Sequence, residues 1–246
     1  MLKIENKAES NAAEIYINGE IINNNDAAFA QLLDDSKNYA WPANLKKQLD
    51  GLKGKDLTVY INSPGGNVFA GVAMANFLKR HDGKTTAIVD GWCCSIATEI
   101  FFSCQTRKIP ANAYLMIHKP SMQATGTSDD LLKAADMLDT IQRGIEHVYQ
   151  SAALDGVTAQ EITDMVNAET WLTGDEAAEI FNLTVTEPLE IVACAKGTTV
   201  FDNAPKGIFL KDMKQLENAE NDRAKDRNKE RVGVAMALIN AEEALA

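Results

Sequence analysis

The succession of apolar and polar positions divides most of this chain into short strands and helices. Residues 14–22, EIYINGEII, read as a strand that ends at the polar cluster Asn23 to Asn25, and Asp26 opens a helical pattern through Ala28, Phe29, Leu32 and Leu33. Trp41-Pro42 interrupts it, and ANLKKQLDGL follows as a short helix. DLTVYINSPGG is a compact run of β-branched and aromatic residues closed by Pro-Gly-Gly, the pattern of a buried strand. In residues 68–80, Val68, Val72, Ala75 and Leu78 share one helical face. The same order then repeats: KTTAIVDG is a strand ended by Gly91, CSIATEIFFSC an apolar helix, and RKIPANAYLMIHKPS holds another strand that stops at His118-Lys119-Pro120. Strand, tight turn and apolar helix in succession predict an α/β fold with strands buried on both faces.

Residues 128–153 give the clearest helix. Ser128, Asp129 and Asp130 supply N-terminal capping oxygens, and Leu131, Leu138, Ile141, Ile145 and Val148 form a stripe at helical spacing. About seven turns exceed what one layer of a compact domain needs, so the helix is expected to project and to bury its stripe against another copy of the chain. Two shorter helices follow, the second opened by Thr173-Gly174-Asp175-Glu176, a capping box. Past Pro188 the pattern weakens. The expected division is a folded domain over 1–190, a linker or edge segment over 191–210, and a charged helical or disordered tail over 211–246.

Composition narrows the function. The net charge of −11 argues against a nucleic-acid partner, which needs a basic surface. No apolar run is long enough to span a membrane and no secretory leader is legible, so a cytoplasmic protein without membrane contact is expected. Cys93, Cys94, Cys104 and Cys194 make no C-x-x-C pair, and the chain has 3 histidines, so neither a metal site nor a disulfide is expected. No cofactor motif is present: G-x-G-x-x-G and Gly-Lys-Ser/Thr are both missing.

Three predicted strand ends carry chemistry, where open α/β sheets hold their ligands. Asn62-Ser63-Pro64-Gly65-Gly66 sets two glycines at a strand-to-helix turn, a backbone nest for an anion or a developing oxyanion. Ser95 stands at the mouth of an apolar helix just past a strand, in the manner of a nucleophile elbow. His118 closes the next strand; His81, in a polar turn, and His147, in the long helix, read as surface residues. The three ends combine into acyl-transfer chemistry: Ser95 attacks a carbonyl, His118 accepts its proton, and the amides of Gly66 and Ile96 hold the oxyanion.

These residues resemble a known family. VYINSPGGNVFAGVAMANFLKR, VDGWCCSIATEIFF, YLMIHKPS and ETWLTGDEAAEIFNL, in unbroken order over about residues 14–188, are similar to the ClpP family of Clp-type serine peptidases, and most to its phage and prophage head-maturation branch. The resemblance implies a crotonase-like spiral of β-β-α units with the long helix as a projecting handle. It implies a homo-oligomeric ring, a heptamer or double ring, with its active sites inside a chamber. It places the nucleophile on Ser95, the base on His118 and the oxyanion amides on Gly66 and Ile96. It sets Gly65, Asn67, Gln123, Thr125 and Gly126 beside a polypeptide substrate, which would pair as an added strand.

Where the family carries an aspartate two residues before an aromatic, this chain has Glu169 before Trp171, with Asp164 the nearby competitor for the third catalytic position. The insertion KNYAWPANLK lies where the family binds its unfoldase, which argues against docking of a standard ATPase. In phage relatives a C-terminal extension serves capsid scaffolding, so capsid or scaffold proteins join the expected partners. A crotonase-type acyl-CoA enzyme and a catalytically idle ring or scaffold component are the alternatives; the former uses carboxylates for proton transfer, and this chain has no paired glutamates at the corresponding turns.

Overall fold

Strands and helices alternate along the chain in a computed structural model that describes residues 2–6, 11–33 and 35–188. The first half contains β1 (Leu2–Asn6), β2 (Ala12–Asn18), β3 (Glu20–Ile21), α1 (Asn24–Leu32), β4 (Tyr39–Ala40), α2 (Pro42–Asp50), β5 (Asp56–Ser63), α3 (Val68–Lys79) and β6 (Thr85–Cys94). The second half contains α4 (Ala97–Ser103), β7 (Thr106–Pro110), β8 (Tyr114–Ile117), α5 (Ser128–Ala152), α6 (Ala159–Asn167), β9 (Thr170–Thr173), α7 (Gly174–Ile180) and β10 (Thr184–Thr186). The sequence-based linker 191–210, the tail 211–246 and Cys194 lie outside the described residues.

The main sheet runs β1-β2-β5-β6-β7-β10. β2, β5, β6, β7 and β10 are parallel, and β1 closes the edge antiparallel to β2. Parallel strands need crossovers, and the helices between them supply these. On the face covered by α3 and α4, Ile15, Ile17, Leu57, Val59, Ile61, Ala87 and Val89 are almost wholly buried against Met74, Leu78, Ile100 and Phe101. Each buried Val, Leu or Ile side chain contributes about 1.5–3 kcal/mol.

β6 is forked. Thr86 to Ile88 pair with β7, whereas Trp92 to Cys94 pair with β8. Gly91 therefore does not end the strand as its sequence suggested: the ladder to β8 carries it to Cys94. β9 runs antiparallel on β8. The segment RKIPANAYLMIHKPS, expected to hold one strand, holds two, β7 and β8, separated by a turn at Ala111 and Asn112.

Several local expectations shift. The strand expected over 14–22 breaks at Gly19, where φ is +83°. Asn23, not Asp26, caps α1; its side chain accepts from the Asn25 and Asp26 amides. α1 buries Ala27 and Ala30, while Phe29, Leu32 and Leu33 point outward. The deep face of α3 is Ala70, Gly71, Met74, Ala75 and Leu78, leaving Val68 and Val72 half-buried.

α5 has 25 residues, about 37 Å of helix. Its cap is Thr127, in a capping box with Asp130, rather than Ser128. No residue from 128 to 144 is buried; Ile145, Tyr149 and Ala152 are. Of the expected stripe, Leu131 faces outward beside Leu132, and contact with the core begins near Ile141. Among the described residues no helix is long and apolar enough to cross a membrane.

Candidate active site

Four strand ends converge. β6 ends at Cys94, and the next residue, Ser95, donates its N–H to Met116 O of β8 at 2.8 Å. The antiparallel pairs of β8 and β9 run from Tyr114↔Thr173 to Ile117↔Thr170. The residues one step beyond that last pair are His118 and Glu169, so the sheet register itself sets them opposite each other. β5 ends at Ser63 and delivers the Gly65-Gly66 turn to the same end of the sheet.

The Ser95 Oγ and His118 Nε2 are 2.7 Å apart, within reach for proton transfer. Ser95 has φ +55°, a backbone region that side chains rarely adopt and that costs on the order of 1–3 kcal/mol. It stands one residue before the cap of α4, which is Ile96. The Ser95 carbonyl accepts from the Thr98 N–H at 2.9 Å and from the Thr98 hydroxyl. That hydroxyl is 2.7 Å from the Tyr149 O–H. With Thr98 donating to Ser95, Tyr149 is the donor to Thr98, and a short relay ties α5 to the turn that carries the serine.

The glycine turn is held by backbone bonds. The Ile21 N–H donates to Gly65 O and the Asn67 N–H donates to Ile21 O, each at 2.7 Å. This is a parallel bridge with Gly66 at its middle, and the alternation of a strand turns the Gly66 N–H away from Ile21. Neither the Gly66 nor the Ile96 N–H finds a hydrogen-bond partner among the described residues. A Cβ on Gly65 would lie 2.7 Å from Cys94 O and from the Ser95 Cβ, so the turn sits directly against the serine. Ser63 braces it from below, donating to Gly19 O at 2.7 Å and accepting from the Gly65 N–H at 3.1 Å.

The residues set beside a peptide by resemblance differ in what they do. The Asn67 side chain caps α3 by accepting from the Ala70 N–H at 2.9 Å. Gln123, Thr125 and Gly126 lie in an exposed, irregular stretch before α5.

Burial draws the His118 imidazole below its ordinary pKa, and the charge of Glu169 opposes that by raising it. Glu169, half-buried at φ +51°, accepts a hydrogen bond from Trp171 Nε1 at 3.4 Å. Asp164, the competitor, is an exposed residue of α6 whose carboxylate accepts from the Gln160 amide at 2.9 Å. Cys93 and Cys94 are fully buried, and burial pushes the Cys93 thiol far up, so both pack as small apolar side chains. Among the described residues no group of three or more His, Cys, Asp or Glu side chains is placed to hold a metal ion.

Ser63, Thr98, Tyr149 and the bridging Ile21 escaped the sequence reading. Ser63 lies inside a motif already noted, and its small hydroxyl amid an apolar strand was the available signal. Thr98 and Tyr149 carry none, because only the packing of α5 on α4 brings them together.

Comparison with known proteins follows the same lines. The sequence profile of the family described as Clp protease matches residues 6–180. The ATP-dependent Clp protease proteolytic subunit 3 of Rhodococcus jostii is 30% identical over 127 residues, 51% of this chain and 62% of that protein. The subunit of the same name from Streptomyces coelicolor is 32% identical over 127 residues, 50% of this chain and 57% of that protein. The matched segment thus spans less than two thirds of either relative. Among solved structures, a ClpP1 mutant from Listeria monocytogenes aligns with a TM-score of 0.56 and 23% identity, over 71% of this chain and 91% of the other. That likeness concerns the fold alone.

Proposed function

Because this chain belongs to the Clp protease family, we propose that it is a serine endopeptidase in which Ser95, His118 and Glu169 act as nucleophile, base and orienting acid. His118 Nε2 takes the hydroxyl proton as Ser95 Oγ bonds to the scissile carbonyl carbon. The amides of Gly66 and Ile96 hold the oxygen that becomes negative. The imidazolium then protonates the leaving amine, the C–N bond breaks, and an acyl-Ser95 ester remains. Water, deprotonated by His118, hydrolyses that ester and restores the hydroxyl. Glu169 keeps the imidazole oriented and offsets its charge throughout. The chemistry requires no cofactor.

The observation that carries this reading is the 2.7 Å contact between Ser95 Oγ and His118 Nε2. The two unpartnered amides and the acid across the β8–β9 register support it. A substrate would lie extended beside the glycine turn and residues 122–127, pairing through its backbone. The exposed half of α5, with Leu131, Leu132 and Met137 outward, suits packing against other copies in a ring with the sites facing a chamber. The finer reading is a cytoplasmic phage or prophage head-maturation protease that cleaves capsid or scaffold protein without docking a standard ATPase.

A fluorophosphonate probe tests the chemistry. Capture of the probe on Ser95 in the assembled wild-type protein, lost in Ser95→Ala, is the expected result. Folded, assembled wild type that takes no probe of several sizes would make the chain an idle scaffold instead. Native mass measurement of the labelled particle reports ring size.

A further inference from the structure

We propose that Trp171 is a positioning residue, whose indole N–H tethers the Glu169 carboxylate in the orientation that serves His118. This rests on the peptidase reading and deepens it. The Trp171 Nε1–H donates to Glu169 Oε1 at 3.4 Å. Glu169 stands in the turn just before β9 and Trp171 is the second residue of that strand, so the bond spans the start of β9. The indole is itself fixed: it is stacked 6.5 Å from the ring of Trp92, which is 1% exposed, and Trp171 pairs with Met116 in the β8–β9 ladder. The donor is thus mounted on the same strand pair that sets His118 opposite Glu169.

The tether answers a problem posed by the side chain. A glutamate carries one more rotatable bond than an aspartate at the same position, so its carboxylate sweeps a wider arc. Its backbone stands at φ +51°, which fixes where the side chain starts but not where the carboxylate ends. A donor rigidly held beside the imidazole removes that freedom before substrate arrives. A hydrogen bond to a charged acceptor is among the stronger kinds, though length weakens it. A phenyl ring in the same place would keep an aromatic face toward Trp92 and provide no hydrogen.

The test uses Trp171→Phe and Trp171→Tyr in the full chain, each keeping a ring against Trp92. Peptide hydrolysis and the rate of Ser95 labelling are measured from pH 5 to 8, with thermal melting and native mass as controls for fold and assembly. The expected result is a kcat lowered about fivefold to tenfold at unchanged KM. The acid limb moves to lower pH, because a loosened Glu169 opposes the burial of His118 less. In a Glu169→Ala background, which removes the acceptor, the Trp171 substitutions are expected to cost nothing further, since the indole acts through the carboxylate. Substitutions that leave rate and acid limb unchanged, or that lower the rate equally with and without Glu169, overturn the tether while the peptidase reading stands. Wild type that takes no probe overturns both.

Discussion

Ser95 and Glu169 are the two described residues other than glycine with positive φ, +55° and +51°, and they flank one imidazole. Each sits one step off the end of a strand, where the ladder no longer dictates the backbone. Residues held in this region cost stability and persist where the surroundings over-determine them. At Ser95 the determinants are the Met116 carbonyl ahead and the Thr98 hydroxyl behind. The coincidence of two such residues around His118 supports, independently of any motif, the proposal that the chemistry takes place at this corner.

The direction of the His118 shift sets a pH profile. As the proposed base, His118 works only when neutral, so activity is expected to be lost as pH falls through its pKa. Burial lowers that pKa from the ordinary value, which is about 6.5. The acid limb of kcat/KM is therefore expected below about pH 6.5. A rate-pH series on a peptide substrate checks this; a limb centred at or above the ordinary value contradicts it.

Glu169→Gln keeps the shape and removes the charge. It is expected to lower kcat by roughly a hundredfold or more while native mass stays unchanged. Asp164→Asn, on the exposed face of α6, is expected to alter kcat less than about twofold, as surface changes do. Side-by-side kinetics of the two variants decide which carboxylate completes the triad.

Gly65→Ala forces a side chain to φ +92° and sets its Cβ 2.7 Å from both Cys94 O and the Ser95 Cβ. Backbone must move, and the atoms in its way belong to the nucleophile's own turn. Ser95 labelling is expected to slow by at least about a hundredfold, with a stability loss of about 1–3 kcal/mol. Chemical denaturation and probe kinetics measure the two effects separately.

Asp90, half-buried on β6, has its pKa raised to about 6 by desolvation. The folded state therefore holds a proton that the unfolded chain has already lost between about pH 4 and 6. Its contribution favours folding below that window and is lost as pH rises through it. Asp90→Asn is expected to stabilise the protein at pH 7.5 by about 1 kcal/mol after solvent screening, and to make little difference at pH 4. Denaturation curves at the two pH values test the sign.

The α/β order, Ser95, His118 and the glycine pair were legible because buried parallel strands and tight turns leave strong local patterns. Glu169 was reached only through resemblance. β9 is a strand of 4 residues that exists because β8 lies beside it, and nothing in TWLT alone announces that pairing. Gly91 misled for the same reason: a residue that weakens a strand locally is carried through by neighbours. Phe29, Leu32 and Leu33 showed the opposite failure, where helical periodicity was present but small alanines took the inner face.

The parallel bridge between Ile21 and Gly66 has a consequence for how the protein comes into being. One wall of the proposed oxyanion pocket is anchored by an early residue, while Glu169 arrives far later in the chain, past the long helix. Such distant pairings close slowly and late in folding. Under the proposed mechanism a partly folded chain thus has the Ser95 hydroxyl but no complete hydrolytic machine until β9 docks on β8.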